Sequence, residues 1–95
     1  MTLEPTDDAL ESRRKRLIFR SWHRGTREID LILGPFADRF VPGFDAELVA
    51  QYEELLDLPD LDVYDWLLLR VPVPPERDSA VVRMLLDFVQ NPKEA

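Results

Sequence analysis

REIDLILGPFADRFVPG, Arg27 to Gly43, places apolar side chains at Ile29, Ile32, Leu33, Phe36 and Phe40. Those positions repeat as i, i+3, i+4, i+7 and i+11, the period of a helix with one buried face, whereas a strand would alternate. Pro35 falls inside the repeat and lacks the N–H that would bond the carbonyl of Leu31. The spacing therefore predicts a helix kinked or broken near Gly34-Pro35 and stopped by Pro42-Gly43.

The same period extends outward on both sides. Upstream, Leu10, Leu17, Ile18, Ser21 and Trp22 share one side of a first helix, with Arg13, Lys15, Arg16 and Arg20 largely elsewhere. Downstream, Asp45 is placed to cap a third helix running to about Asp57, with Phe44 positioned to pack on Val49 as a hydrophobic staple. Leu48, Val49, Tyr52, Leu55 and Leu56 form its inner side. Asp60 or Asp62 can cap a fourth helix, in which Val63, Tyr64 and Trp66 to Leu69 are too apolar for a single stripe. Such a helix is either central or partly exposed at a contact surface. VPVPP, Val71 to Pro75, reads as an extended spacer, and Asp78 or Ser79 restarts a helix that buries Val81, Val82, Leu85, Phe88 and Val89 until Asn91-Pro92. The expected fold is all-α: a compact five-helix bundle, one domain over residues 10–92, with a flexible tail at 1–9 and a short one at 93–95.

Composition narrows the function classes. With 95 residues, 45% of them hydrophobic, one shared core is expected, and the absence of cysteine removes disulfides and thiolate metal sites. The longest apolar run, Trp66 to Leu69, is far below the ~20 residues of a membrane span, so no membrane insertion is expected. MTLEPTDDAL carries three acids and no base, the opposite of a secretory or mitochondrial leader. Bacterial cytoplasm is the expected location. The net charge of −7 is unevenly distributed: residues 11–27 carry a net +6, and residues 28–95 a net −10. An electropositive stripe on an acidic body can serve nucleic acid, or it can attract the acidic surface of the same protein or of a partner. Overall acidity repels phosphate at a distance, so no nucleic-acid partner is expected.

Reactive groups are scarce. His23 is the only histidine and reads as a helix-end surface residue, so neither a Ser-His-Asp arrangement nor a zinc site has its parts. The chain's three glycines are too few and too scattered for a phosphate-cradling loop. Asp57, Asp60, Asp62 and Asp65 lack the spacing and glycine of a calcium loop and read as caps and solubilising charge.

The corner at Arg24-Gly25-Thr26-Arg27-Glu28 has two readings. Gly25 can end the first helix in the left-handed conformation or cap the second, with Glu28 as third helical residue reaching back to a free N–H. Alternatively, a bare glycine at a sharp corner admits the backbone of another protein, with Arg24 as fork donor and Glu28 as acceptor beside it. On that reading, removing Arg24 or Glu28 costs partner binding but little stability.

RGTRE followed by IDLILGPFADRF resembles the Arg-Gly-x-x-Glu signature and succeeding helix of the succinate dehydrogenase assembly factor 2, or flavinator, family. PDLDVYDWL, Pro59 to Leu67, resembles that family's second signature, and LLDFVQN its terminal helix, so the likeness covers about residues 10–92. Pro35 departs from the residue expected after Gly34. The resemblance implies an assembly factor that is not itself an enzyme. It would bind the flavoprotein subunit of succinate dehydrogenase, or in some bacteria of fumarate reductase, and promote covalent attachment of FAD. A histidine of that subunit attacks the flavin 8α-methyl position, so FAD belongs to the partner and none is held tightly by this chain, which is expected to be monomeric when free. The resemblance implies partner binding through Arg24, Gly25 and Glu28, bordered by Asp62, Tyr64 and Trp66, with Arg20 and Arg27 as rim charges. Tyr64 and Trp66 serve a bundle core equally well. The other class of function open to the same corner is an antitoxin-like or inhibitory interaction module acting on a different target.

Overall fold

The apolar repeat from Ile29 to Phe40 becomes the centre of the core. In the computed structural model, which describes residues 5–91, five helices follow in order: α1 (Pro5–Trp22), α2 (Arg27–Phe40), α3 (Ala46–Leu56), α4 (Asp60–Leu67) and α5 (Ala80–Gln90). Single 3₁₀ turns lie at Val41–Gly43 and Pro75–Arg77, and there is no strand among the described residues. α1 packs on α2 and α3, and α5 closes the bundle against α3, α4 and α2. Ile29, Leu33, Phe36 and Ala37 are buried, with Ile32 and Phe40 packed against the core's edge. Phe36 is its aromatic hub, with ring centroids 5.6 Å from both Tyr52 and Phe88 and 5.1 Å from Phe40. Tilted and edge-on pairs of this kind add to simple area burial.

Two buried hydroxyls cross this core. The Ser21 hydroxyl donates to the carbonyl of Leu17 at 2.8 Å, and Ser21 Oγ and Tyr52 Oη lie 2.6 Å apart. That geometry makes Tyr52 the donor of the second bond, so both side chains are satisfied in an apolar setting. Burial pushes the Tyr52 phenol up to about 12 against the opposing pull of the Ser21 hydrogen bond and of Arg24 and Arg20.

Capping follows the sequence at α3 and α5, where Asp45 accepts from the Leu48 N–H and Ser79 from the Val82 N–H. It departs elsewhere. Of the expected kink or break, the break is absent: α2 runs without interruption through Pro35. Gly34 has no Cβ to collide with the proline ring, which removes part of the usual bar to a helical residue before proline. The Leu31 carbonyl loses its helical donor, and Leu31 itself is an exposed residue. α1 spans Pro5–Trp22 among the described residues, so residues 5–9, expected as tail, are helical. Residues 1–4 and 92–95, which include the rest of that tail and the expected tail at 93–95, lie outside the described residues. No helix among the described residues is long and apolar enough to cross a membrane.

Leu69 takes the left-handed conformation, φ 60°, just past α4, where glycine is usual. The turn lets the Arg70 N–H reach back to the carbonyl of Asp65 at 2.9 Å.

Candidate functional site: the Arg24–Glu28 corner

Trp22 ends α1, and Arg27 begins α2. Between them the chain reverses at Gly25, whose φ of +105° is open to glycine and strained for any L-residue. A Cβ built there meets nothing within 4 Å. Gly25 is therefore required by backbone conformation and faces open space.

The corner is held by a clamp made of residues distant in sequence. Arg24 Nε donates to Asp60 Oδ1 at 2.6 Å, Nη1 to the Leu56 carbonyl at 2.5 Å and Nη2 to the Leu58 carbonyl at 2.8 Å. Those carbonyls belong to the C-terminal turn of α3 and the link beyond it, where helical donors have run out and a cation is favoured. The Arg24 side chain is only 10% exposed. Thr26 Oγ1 donates to Asp60 Oδ2 at 3.1 Å, and Asp30 Oδ1 accepts from the Arg24 backbone N–H at 2.9 Å. Asp60, at the first position of α4, thus gathers donors from both sides of the glycine.

This geometry corrects three local expectations. Thr26, not Gly25, occupies the N-cap of α2, and its hydroxyl donates to Asp60 and makes no capping bond. Glu28 is the second helical residue and reaches back to nothing; the acid that does so is Asp30. Neither Asp60 nor Asp62 caps α4, whose N-cap is Pro59, since the Asp60 carboxylate is turned toward Arg24.

The residues proposed from sequence therefore separate into three groups. Gly25, Arg27 and Glu28 form an exposed edge, and neither side chain has an ion pair or hydrogen bond among the described residues. Arg24 lies behind that edge as an internal fastening, so its guanidinium is not offered outward. Arg20 is half-buried and pairs with Asp57 at 2.9 Å. Of the second signature, Asp62 is exposed, Tyr64 is half-buried with the Arg70 guanidinium 5.8 Å from its ring centroid, and Trp66 is 7% exposed and belongs to the core. No hydrogen bond links Asp62, Tyr64 or Trp66 to residues 24–28 among the described residues; the link between the two signatures is Asp60.

Three residues that the sequence left without a part at the site support the corner: Thr26, Asp30 and Asp60. The one signal available was Arg24 itself, a cation for which corner geometry gave no use. Trp22 is a fourth support. Its indole lies across Gly34, so that a Cβ there would come within 2.3 to 2.6 Å of three ring atoms, and its Nε1 donates to Asp38 Oδ1 at 3.2 Å. Glycine at 34 is thus a packing requirement that fixes how α1 meets α2. His23 lies on the surface as expected, its Nδ1 2.8 Å from the Phe19 carbonyl and its ring stacked on Phe19 at 4.2 Å.

The basic stripe is largely consumed within the fold. Arg13 makes a two-point pair with Glu53, Arg14 donates to the Phe44 carbonyl and Glu11, and Arg20 and Arg24 are paired as above. Lys15, Arg16 and Arg27 stay exposed. The stripe's partner is in large part the acidic body of the same protein. Among the described residues, no group of three or more His, Cys, Asp or Glu could hold a metal ion.

Fold and corner together define a small helical module built around a fastened, backbone-exposing turn. Residues 15–89 match the model of a family described as flavinator of succinate dehydrogenase, and the chain belongs to that family. It is 37% identical to the FAD assembly factor SdhE of Acetobacter pasteurianus over 81 residues, covering 85% of this chain and 74% of that one. It is 40% identical over 87 residues to the mitochondrial succinate dehydrogenase assembly factor 2-A of Drosophila mojavensis, covering 90% of this chain and 55% of that one. A mitochondrial succinate dehydrogenase assembly factor 2 of Debaryomyces hansenii is 36% identical over 98 residues, covering 96% of this chain and 69% of the relative. The chain spans a little over half the length of the fly relatives it matches. These names describe accessory factors for assembly, consistent with a helical module of this size.

Proposed function

We propose that this protein docks on the flavoprotein subunit of succinate dehydrogenase through the edge Gly25, Arg27 and Glu28 and promotes covalent attachment of FAD to that subunit. The observation that carries the reading is a corner at once clamped and bare, inside a chain that matches the flavinator family from residue 15 to 89. A turn with no side chain lets a partner's backbone approach, and Glu28 offers an unengaged carboxylate to a partner's N–H groups or cation. The bond to flavin is made by the partner's own histidine. The factor contributes by holding the partner's domains in a reactive arrangement, which is catalysis by positioning.

On this reading the chain is not an enzyme and FAD stays with the client. In support, Gly34 lies under an indole inside α2 and Gly43 closes a 3₁₀ turn, so neither joins Gly25 in a pyrophosphate cradle. The factor acts as a monomer in the bacterial cytosol, and fumarate reductase is a second client where that enzyme is present. Tyr64 and Arg20 border the contact, while Asp62 supplies exposed negative charge near it.

The test is a deletion strain in which covalent flavin is read as in-gel fluorescence of the flavoprotein subunit. Loss of the band, restored by the wild-type gene but not by a Gly25→Arg form that still melts cooperatively as a helical protein, supports the reading. An unchanged band in the deletion strain overturns it, and so does full restoration by Gly25→Arg.

A further inference from the structure

We propose that Asp60 is a positioning residue for the corner, and that Arg24 contributes to client binding through Asp60 rather than by touching the client. The inference rests on the reading of the Gly25–Glu28 edge as the docking site and adds to it the device that sets the edge in place. The chain on each side of Gly25 is tied to one carboxylate: Arg24 to Oδ1 and Thr26 to Oδ2. Arg24 is also fastened to the Leu56 and Leu58 carbonyls, so the corner cannot rotate without leaving partly buried acceptors at the end of α3 unmatched. Glycine is the most permissive residue, and a corner built on it needs outside restraint to present one conformation. Asp60 supplies that restraint from the start of the second signature. The two signatures of the chain, far apart in sequence, thus act as one site without Asp60 being part of the contact surface.

A double-mutant cycle on client affinity separates this from direct contact. The full chain and its Arg24→Ala, Asp60→Ala, doubly substituted and Asp60→Asn forms are titrated against the purified flavoprotein subunit. The temperature is held well below each melting midpoint, so that the folded fraction does not move the Kd. Asp60→Ala and Arg24→Ala are each expected to weaken binding about 10-fold, with the double variant no more than about 3-fold worse than either. Asp60→Asn keeps an acceptor for Arg24, and its Nδ2 can donate to the Thr26 hydroxyl; it should bind within about 3-fold of wild type. A double variant whose loss is the product of the two single losses overturns the inference, as does Asp60→Ala binding like wild type while Arg24→Ala fails. If Arg24→Ala does not fold, the comparison of Asp60→Ala with Asp60→Asn decides alone: weak and near-normal binding respectively support the clamp, and equal affinities refute it. Wild-type protein that does not bind the subunit at all refutes the docking reading itself, and the clamp's role in binding falls with it.

Discussion

Replacing Gly34 with alanine tests whether the α1–α2 junction is set by contact or by helix propensity, because the two effects have opposite signs. Propensity alone favours alanine in a helix interior by ~1 kcal/mol. Against it stands the new Cβ, which would lie 2.3, 2.4 and 2.6 Å from three atoms of the Trp22 indole. Ordinary contact needs about 3.5 Å or more, so the ring must move by roughly 1 Å or leave. Trp22 is 37% exposed, so roughly 150 Å² of it is covered, worth ~4 kcal/mol at ~25 cal/mol per Å² if wholly displaced. Partial displacement forfeits about half of that, together with the 3.2 Å bond to Asp38. Alanine also restores the collision with the ring of Pro35 that glycine avoids. The net expectation is a loss of about 1 to 3 kcal/mol, seen in thermal unfolding as a fall of about 5 to 20 °C for a domain of this length. Circular dichroism measures the midpoint, and in a Trp22→Ala background the cost of Gly34→Ala should shrink by at least half. An alanine variant that melts higher than wild type, or an equal cost in both backgrounds, refutes the argument.

Three further outcomes follow from other contacts. Tyr52 is neutral in the fold up to about 12 but ionises near 10 when unfolded; its contribution is therefore complete below pH 10 and lost as pH rises through 12. Stability should fall by about 2 to 3 kcal/mol across that window, and urea titrations of Tyr52→Phe should show a shallower decline. Arg24→Ala should cost about 2 kcal/mol or more of stability in urea unfolding, against the small effect expected of an exposed contact residue, because three charge-assisted bonds to partly buried acceptors are lost; a variant with wild-type stability would show the clamp to be energetically empty. Leu69→Gly removes a side chain that is 66% exposed from a left-handed residue and should raise stability by about 1 kcal/mol in the same assay.

What could be read from the chain, and what could not, divides by range. The five helices, the caps at Asp45 and Ser79 and the inner faces of α2, α3 and α5 follow from neighbours three or four residues apart, where periodicity carries the information. The corner was located by its glycine and its resemblance to the family signature. The role of Arg24 is not legible, since its acceptors are 32 to 36 residues away, in α3, α4 and the link between them. The rule against proline leaves a kinked and a broken α2 both open, because it counts a lost donor without weighing the preceding glycine, which relieves the steric part. The capping-box spacing gives Glu28 the backward reach that Asp30 performs, a shift of two residues that changes which acid remains free. The choice between core and interface for Trp66 depended on packing that the near-continuous apolar run of α4 does not encode.

That difference of two residues matters energetically. If Arg24 turned outward to meet a client carboxylate, it would leave Asp60 and two carbonyls without their donor, exchanging charge-assisted bonds for others of similar strength and gaining little. On the proposed docking, Glu28 would give up nothing in the fold, so a bond it made to the client would count in full apart from desolvation and ordering of its own side chain. The same holds for the peptide edge at Gly25, whose conformational entropy has already been lost on folding through the clamp. An interface made from a pre-ordered edge and an unengaged acid thus extracts more affinity from few groups than one that borrows the arginine. On the proposed docking, Arg24 would serve binding because it is not available to the client.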